Sequence, residues 1–566
     1  MLLLCALLGL LFAPNLALLW RHPELIPFVR GILVCGVLCA AVFALCGRRL
    51  WIACALFLPF VVLAPAEMFY ILRYDRPSDA NIMATVFESN LREASEFLGD
   101  ARYYLIAAVC LAALVGIAAV VQVRRSRLAW THRSAKWVVA VVLGVPLLSV
   151  ALAVLSPTRR ANGIGAAVDD TLQRLAVEVY MTYPFGLADR YLEYRREWAA
   201  MRDASAALAG FRFGAHPRVP VGERQVYVLV IGEASRRDHW SLFGYARATN
   251  PQLAATTNLV TLPDMISPWA ASRWAVPMIV TRKPDTDWNA YFTEPSVTRV
   301  FQEAGFHTYW YSTQSAVGMY DSPISVNAFD AMQVRFFNPS GSEGERSYDD
   351  QLLPPLRAAL AASDRNLFIV LHTLGSHQEY RARFPREFDR FTPSLPGDAD
   401  FTRSAAIERE TNAYDNSVLF TDHVLKAVID ELAQSRAITA MLYVADHGEM
   451  LPDGNCSVIG HGFSGLPVYP VPALFWYSDR YAKAFPEKLA ALQANAKQPL
   501  STTHVFESLV DMADLDFPGR AAQASLFDAR FTPTRRFVHA DTLVDFDHKR
   551  VLPGCQVVVP DQAGAP

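Results

Sequence analysis

Five apolar stretches crowd into the first 155 residues, and they limit this chain more than any other feature. They are Leu2–Trp20, Gly31–Cys46, Trp51–Leu72, Tyr103–Val123 and Trp137–Leu155. Each is long enough, or nearly so, to cross a hydrocarbon layer roughly 30 Å thick, and the second is the shortest. One such stretch is compatible with a removable signal peptide or a buried core helix. Five in succession predict a transmembrane domain over 1–155. The remainder of the 566 residues is long enough for a separate globular domain. A net charge of −3 excludes a globally basic nucleic-acid binder. No solenoid repeat or long low-complexity tract is present.

Basic residues in short loops give the orientation. Arg48 and Arg49 join the second and third spans; Arg124, Arg125, Arg127, Arg133 and Lys136 join the fourth and fifth. Both loops are expected in the cytoplasm. That puts the N-terminus inside and everything after residue 156 outside, which in a bacterial inner membrane is the periplasm. Six cysteines lie in or beside the spans, where they act as small hydrophobes. Cys456 and Cys555 are the two in the soluble part, and an oxidising compartment predicts one disulfide between them. The absence of a CxxC pair argues against a thiolate zinc site.

Two features of the membrane part are more than connectors. Residues 81–98, NIMATVFESNLREASEFL, have helical periodicity, with Asn81, Thr85, Ser89 and Glu93 on one polar stripe. A solvated face of an interfacial helix explains the stripe, and so does contact with a lipid headgroup. Glu67, near the outer end of the third span, is a candidate functional carboxylate or one that reaches the interface. Residues 156–222 then read as a bridge of amphipathic helices at the membrane surface, broken at Tyr183-Pro184-Phe185-Gly186.

From residue 223 to 566 strands and helices alternate. Apolar runs at 226–231, 307–312, 366–371 and 439–444 predict strands, and 295–304, 404–434 and 503–512 predict helices. The alternation predicts an α/β fold with a mainly parallel sheet flanked by helices. Ligands of such sheets sit beyond the carboxyl ends of the strands. There lie Glu233, after VYVLVIG; His377, after FIVLHTLGS; Asp446 and His447, after MLYVA; and His461, in IGHGF. Any one has a dull explanation, a turn or a surface histidine. Several strand ends converging on one edge favour oxygen and nitrogen ligands for zinc. Ser272, in SPWAASRWAVPMIVTR, stands where a helix could begin. It is either an N-cap or a hydroxyl nucleophile activated by the helix dipole and a metal. From the residues alone, Ser267 and Ser235 are equal candidates.

The motifs resemble a known family. GEASRRDHWSLFGYARATNPQL, GFHTYWYSTQ, LGSHQEYRARFP, YDNSVLFTDHVL and ADHGE followed by HG recur in that order in the membrane-bound phosphoethanolamine transferases. These enzymes include the lipid A-modifying and colistin-resistance members, and they belong to the alkaline phosphatase and sulfatase superfamily. The resemblance covers nearly the whole chain. It implies that Glu233, Asp446, His447 and Ser272 hold one firmly bound zinc, with Ser272 as nucleophile. It implies that His377 and His461 contact the phosphoryl group or a second zinc, and that Thr85, Ser89 and Glu93 bind the donor headgroup. The implied reaction moves phosphoethanolamine from phosphatidylethanolamine, through a phosphoethanolaminyl-serine, to lipopolysaccharide (lipid A or a core sugar) or another periplasmic glycan. Serine replaces the usual threonine at 272, and the soluble part has at most one disulfide where colistin-resistance members have several. The second departure points toward core-sugar or other glycan acceptors. Rival readings are a phosphoglycerol transferase, a phosphatase- or sulfatase-type hydrolase, and a non-catalytic membrane scaffold. A sulfatase needs a C/S-x-P-x-R context, which Ser272-Arg273-Trp274-Ala275-Val276 does not supply.

Overall fold

A computed structural model of the chain describes residues 1–21, 26–74, 77–78, 82–83, 86–87, 98, 101–155, 168, 171–172, 179–180, 182–219, 221–288, 294–315, 323–338, 348–362, 364–394, 403–452, 456 and 458–561. They form two compact units, one reaching Glu197 and the other starting at Trp198.

The first unit holds helices α1 (Leu2–Arg21), α2 (Ile26–Cys46), α3 (Leu50–Tyr74), α4 (Ala101–Arg125) and α5 (Ser134–Leu155). Among the described residues, four continuous stretches are long and apolar enough to cross a membrane. One of them, Gly31–Arg73, takes in most of α2 and α3, divided by the turn Gly47–Arg49. The five expected spans are therefore five helices. A helix suits this setting because it satisfies every backbone polar group within itself. On α4 the buried residues are Ala112, Gly116, Ala119 and Val123, one narrow face of small side chains. A Cβ at Gly116 would lie 2.5 Å from Leu58 Cδ1 of α3. Glycine there lets the two helices approach closely, which is how helices adhere without a hydrophobic driving force between them.

Glu67 neither serves as an open site nor reaches an interface. It is buried, and accepts hydrogen bonds from Ser78 Oγ at 2.7 Å, Ser78 N at 3.2 Å and Arg190 Nη1 at 3.1 Å. Arg190 lies on α6 (Phe185–Leu208) and also donates from Nε to Gly186 O at 2.9 Å. Removing one partner would strand the other charge in the interior, at a cost of about 3–5 kcal/mol. The break before α6 falls where the Tyr-Pro-Phe-Gly run predicts it. Gly186 is needed there, because a Cβ would meet Tyr180 O at 2.1 Å. Thr85, Ser89 and Glu93, and most of the 81–98 stretch, lie outside the described residues.

The second unit is built on a seven-stranded sheet: β1 (Gln225–Gly232), β2 (Leu259–Thr261), β3 (His307–Ser315), β4 (Gln333–Asn338), β5 (Leu367–His372), β6 (Ile438–Ala445) and β7 (Ala473–Tyr477). Its order is β2-β7-β6-β1-β5-β3-β4. Strands β6, β1, β5, β3 and β4 run parallel, and β7 is antiparallel to β6. β1 is central and buried on both faces, which explains its unbroken apolar run. Tyr227, Leu229 and Ile231 pack with α7 (Ser272–Val280) and a helix at Val297–Glu303. Val226, Val228 and Val230 pack with α8 (Arg403–Ala433). The mainly parallel sheet with helices on both faces is thus as expected from the alternation. β2, β4 and β7 lie outside the four strands that the sequence predicts. β4 is an edge strand interrupted by Arg335, and β2 is three residues long, so neither presents a continuous apolar run.

Cys456 and Cys555 form a disulfide. It lies in a small cluster with Met450, Val468, Tyr469, Phe546 and Val558. With a sequence separation of 99 residues, closing the loop stabilises by about 4.7 kcal/mol in the chain-entropy model. The chain has 8 cysteines, 6 of them free thiols. We expect denaturing thiol labelling of the full chain to modify six cysteines before reduction and eight after; eight before reduction would contradict the bond.

Candidate active site

Strand register gathers the chemistry at one edge. Gly232 at the end of β1 pairs with Ala445 at the end of β6, and Ile231 pairs with His372 at the end of β5. The next residues along each strand are therefore neighbours: Glu233, Asp446-His447, and the turn 373–377. The turn after β1 is held from every side. A Cβ on Gly232 would lie 2.4 Å from the Tyr443 hydroxyl. Ala234 is left-handed at φ 50°, with its N–H donating to Asp446 Oδ1 at 3.2 Å and its carbonyl accepting from the Tyr414 hydroxyl at 2.8 Å. A non-glycine residue in that region persists only where its surroundings over-determine it.

Ser272 is the first residue of α7. The N-cap is Ala271, with no side-chain cap bond, so the hydroxyl is not spent on the helix. Its Oγ lies 2.9 Å from Glu233 Oε2 and 3.1 Å from His447 Nε2. The competing hydroxyls are engaged elsewhere: Ser235 Oγ accepts from Trp240 Nε1, and Ser267 Oγ donates to Trp269 O. The geometry separates three serines that the sequence left equal.

The carboxylates are half-satisfied in a consistent way. Asp446 Oδ1 accepts from Ala234 N and His447 N, while Oδ2 is buried without a partner. Glu233 Oε2 accepts from Ser272 and Gln314, while Oε1 is buried without a partner. His447 Nδ1 donates to Gly448 O at 2.7 Å, which leaves Nε2 as a lone pair. That Nε2 stands 3.4 Å from Glu233 Oε1 and 3.5 Å from Asp446 Oδ2. Tetrahedral ligands bonded at about 2.0 Å stand roughly 3.3 Å apart. Two orphaned anionic oxygens, an imidazole lone pair and a hydroxyl at that spacing fit one zinc-sized cation.

Charge tells the same story. Burial first, then the charge of Asp446, push the Glu233 carboxyl well above the usual carboxylate range. Burial holds the His447 imidazole below its ordinary value, although Asp446 opposes this. A divalent cation would reverse the carboxylate's preference and suit a neutral histidine.

His377 and His461 adjoin this group. Their rings are 5.3 Å apart, and His461 is 4.5 Å from His447. Ligand atoms of Glu233, His377 and His461, and of His447, Glu449 and His461, form two further sets that could hold a metal. Burial and then the neighbouring His461 keep His377 well below its ordinary pKa. Burial also draws His461 down, but the Glu449 carboxylate bonded to its Nδ1 at 3.0 Å outweighs this and leaves it raised.

Three residues of the site are not marked by the sequence pattern. Glu449 stands in ADHGE, yet only its Asp and His were singled out; it bridges His461 and the Tyr380 hydroxyl. Gln314 closes the YSTQ run. Asp349 gave no local signal: it accepts from Leu374 N, Gly375 N and Thr313 Oγ1, and so shapes the turn to His377.

Comparison with known proteins follows from this geometry. A model described as Sulfatase matches residues 225–515, more than half of the chain. The chain belongs to the sulfatase family. A second model, described as Phosphoethanolamine transferase EptA/EptB, matches residues 34–161. The two matches in one chain bear out the resemblance to the membrane-bound phosphoethanolamine transferases. Phosphoethanolamine transferase EptC of Escherichia coli is 24% identical over 507 residues, covering 85% of this chain and 84% of that protein. The integral membrane lipooligosaccharide phosphoethanolamine transferase A of Neisseria meningitidis shares the fold with a TM-score of 0.69 at 19% identity, covering 93% of this chain and 97% of the other. The periplasmic domain of E. coli EptC, solved in complex with Zn, gives a TM-score of 0.54 at 24% identity over 61% of this chain and 97% of its own.

Gly375 offers a test of how tightly the site is built. It has φ +49°, and a Cβ would lie 2.6 Å from Glu233 O. Gly519 has φ +80° with open space around it. Gly519→Ala should cost about 1 kcal/mol, the conformational penalty alone, and Gly375→Ala clearly more. Thermal unfolding of the full-length variants checks this; equal midpoints would mean the turn is loose.

Proposed function

We propose that the chain transfers phosphoethanolamine from phosphatidylethanolamine to lipopolysaccharide, on lipid A or a core sugar, or to another periplasmic glycan. The observation that carries this reading is the Ser272 hydroxyl, free of a capping role and in reach of both Glu233 and His447. Glu233, Asp446, His447 and Ser272 would hold one zinc, and His377 and His461 would contact the phosphoryl group or a second ion. Bound zinc lowers the pKa of a coordinated hydroxyl and offsets charge on phosphoryl oxygens.

The chain's own groups do the rest. Ser272 Oγ gives up its proton to solvent and attacks phosphorus, and the bond from phosphorus to the diacylglycerol oxygen breaks. The phosphoethanolamine group is then an ester of Ser272. His461, whose Nδ1 is hydrogen-bonded to Glu449, is placed to supply the proton that the departing oxygen takes. In the second half an acceptor hydroxyl gives its proton to His461, or a phosphate oxygen attacks as the anion while His461 is reprotonated from solvent; the acceptor oxygen attacks the same phosphorus, the bond to Oγ breaks, and Ser272 takes a proton back from solvent. Serine in place of threonine keeps the hydroxyl and loses only the χ1 restraint of a β-branched side chain.

Loop charges support an N-terminus in the cytoplasm and residues 223–566 in the periplasm, with 156–222 as the bridge. Tethering to the membrane then keeps the nucleophile near a lipid donor. Thr85, Ser89 and Glu93 enter this reading as donor-headgroup contacts.

The test uses full-length protein in detergent with phosphatidylethanolamine and no acceptor. Mass spectrometry of the peptide containing Ser272 should find a phosphoethanolamine adduct, absent in Ser272→Ala. Ser272→Thr should restore the adduct on threonine and retain transfer to lipopolysaccharide. Normal turnover by Ser272→Ala would refute the assignment. Glu233→Ala, Asp446→Ala or His447→Ala should each remove activity and lower zinc measured by elemental analysis, and full activity after exhaustive chelation would sink the metal reading.

A further inference from the structure

We propose that Gln314 is a positioning residue for the metal: it selects which oxygen of Glu233 is left free to coordinate, and it couples that choice to the turn carrying His377. The inference rests on the zinc reading above and adds a residue to it.

Gln314 is the eighth residue of β3, two strands away from β1, with β5 between them. Its Nε2 donates to Glu233 Oε2 at 3.1 Å and to Thr373 O at 2.9 Å. Both partners are acceptors only, so the amide nitrogen, not the oxygen, must face them. Both amide protons are thereby spent on the protein. In this arrangement Gln314 acts through Glu233.

Glu233 is bound asymmetrically as a result. Oε2 receives two protons, from Gln314 and from Ser272. Oε1 receives none, is buried, and faces His447 Nε2 at 3.4 Å. A carboxylate saturated on one oxygen presents the other as a single ligand in a fixed direction. The hydrogen bond from Gln314 also has a second use. When Ser272 gives up its proton to act as a nucleophile, Oε2 loses that donor and keeps Gln314, so the carboxylate need not rotate.

Length explains the residue type. Neighbouring strands are about 4.8 Å apart, and the side chain must pass the end of β5 to reach β1. Asparagine is one methylene shorter and could not keep both contacts. The Thr373 contact brings in the turn: Thr373 N donates to Ile231 O, Ser376 N to Glu233 O, and His377 follows directly. One side chain thus links the ends of β1, β3 and β5 at the site.

Outer partners of metal ligands tune affinity by ten- to a hundredfold. Gln314→Met keeps length and removes the donor. Gln314→Glu sets a carboxylate against Glu233 and the Thr373 carbonyl. Zinc dissociation constants are measured on the full-length protein by competition with a chromophoric chelator. Thermal midpoints are taken with and without zinc, and the visible spectrum is recorded after cobalt substitution. We expect tenfold or weaker zinc binding for Gln314→Met, weaker still for Gln314→Glu, a smaller zinc-induced rise in midpoint, and an altered cobalt spectrum. A residue that only stiffened the fold would lower both midpoints equally and leave affinity unchanged. Zinc affinity within twofold of the parent with an unaltered cobalt spectrum overturns the proposal. Parent protein that binds no zinc removes instead the reading beneath it.

Discussion

Glu233 and Asp446 are buried side by side at the ends of adjacent parallel strands, and each keeps one oxygen without a hydrogen-bond donor. Two carboxylates out of water and beside one another are expensive to ionise unless a cation sits between them. The backbone spends much of its special chemistry on keeping them there. Gly232 yields to Tyr443, Ala234 takes a left-handed turn, and Gly375 lets the turn after β5 pass against the Glu233 backbone. Remove the pair and these constraints have no purpose; keep it and a metal becomes the simplest way to relieve it. Ser272, one hydrogen bond away, is then the hydroxyl such a metal would act on.

Much of this was legible in the sequence for a physical reason. A central parallel strand is apolar on both faces, so β1, β5 and β6 stand out as unbroken runs, and a carboxylate just past β1 and β6, with a histidine in the turn after β5, marks the sheet's candidate site edge. The membrane helices stand out for the same reason, being apolar all round. What could not be read were the groups that act through others. Gln314 and Asp349 earn their places by hydrogen bonds across strands distant in sequence, and nothing in their own neighbourhoods announces it. Glu449 lay inside a recognised motif, yet its link to His461 depends on the loop between them. Glu67 misled in the opposite direction. An intramembrane carboxylate suggests a site, but its partner Arg190 lies in a later helix that only the fold brings back.

The two units solve different problems with different interactions. The first relies on small-residue packing between helices and a few internal polar pairs, as α3 and α4 illustrate at Gly116. The second has a conventional two-faced core around β1, closed near its end by the Cys456–Cys555 bond beside the strand-edge loops.

Anomalous X-ray scattering at the zinc edge from crystals of the full chain addresses the central claim most directly. The account predicts a peak at about 2.0–2.2 Å from Glu233 Oε1, Asp446 Oδ2, His447 Nε2 and Ser272 Oγ. A zinc peak held by other residues, with these four left hydrogen-bonded to one another, would contradict it.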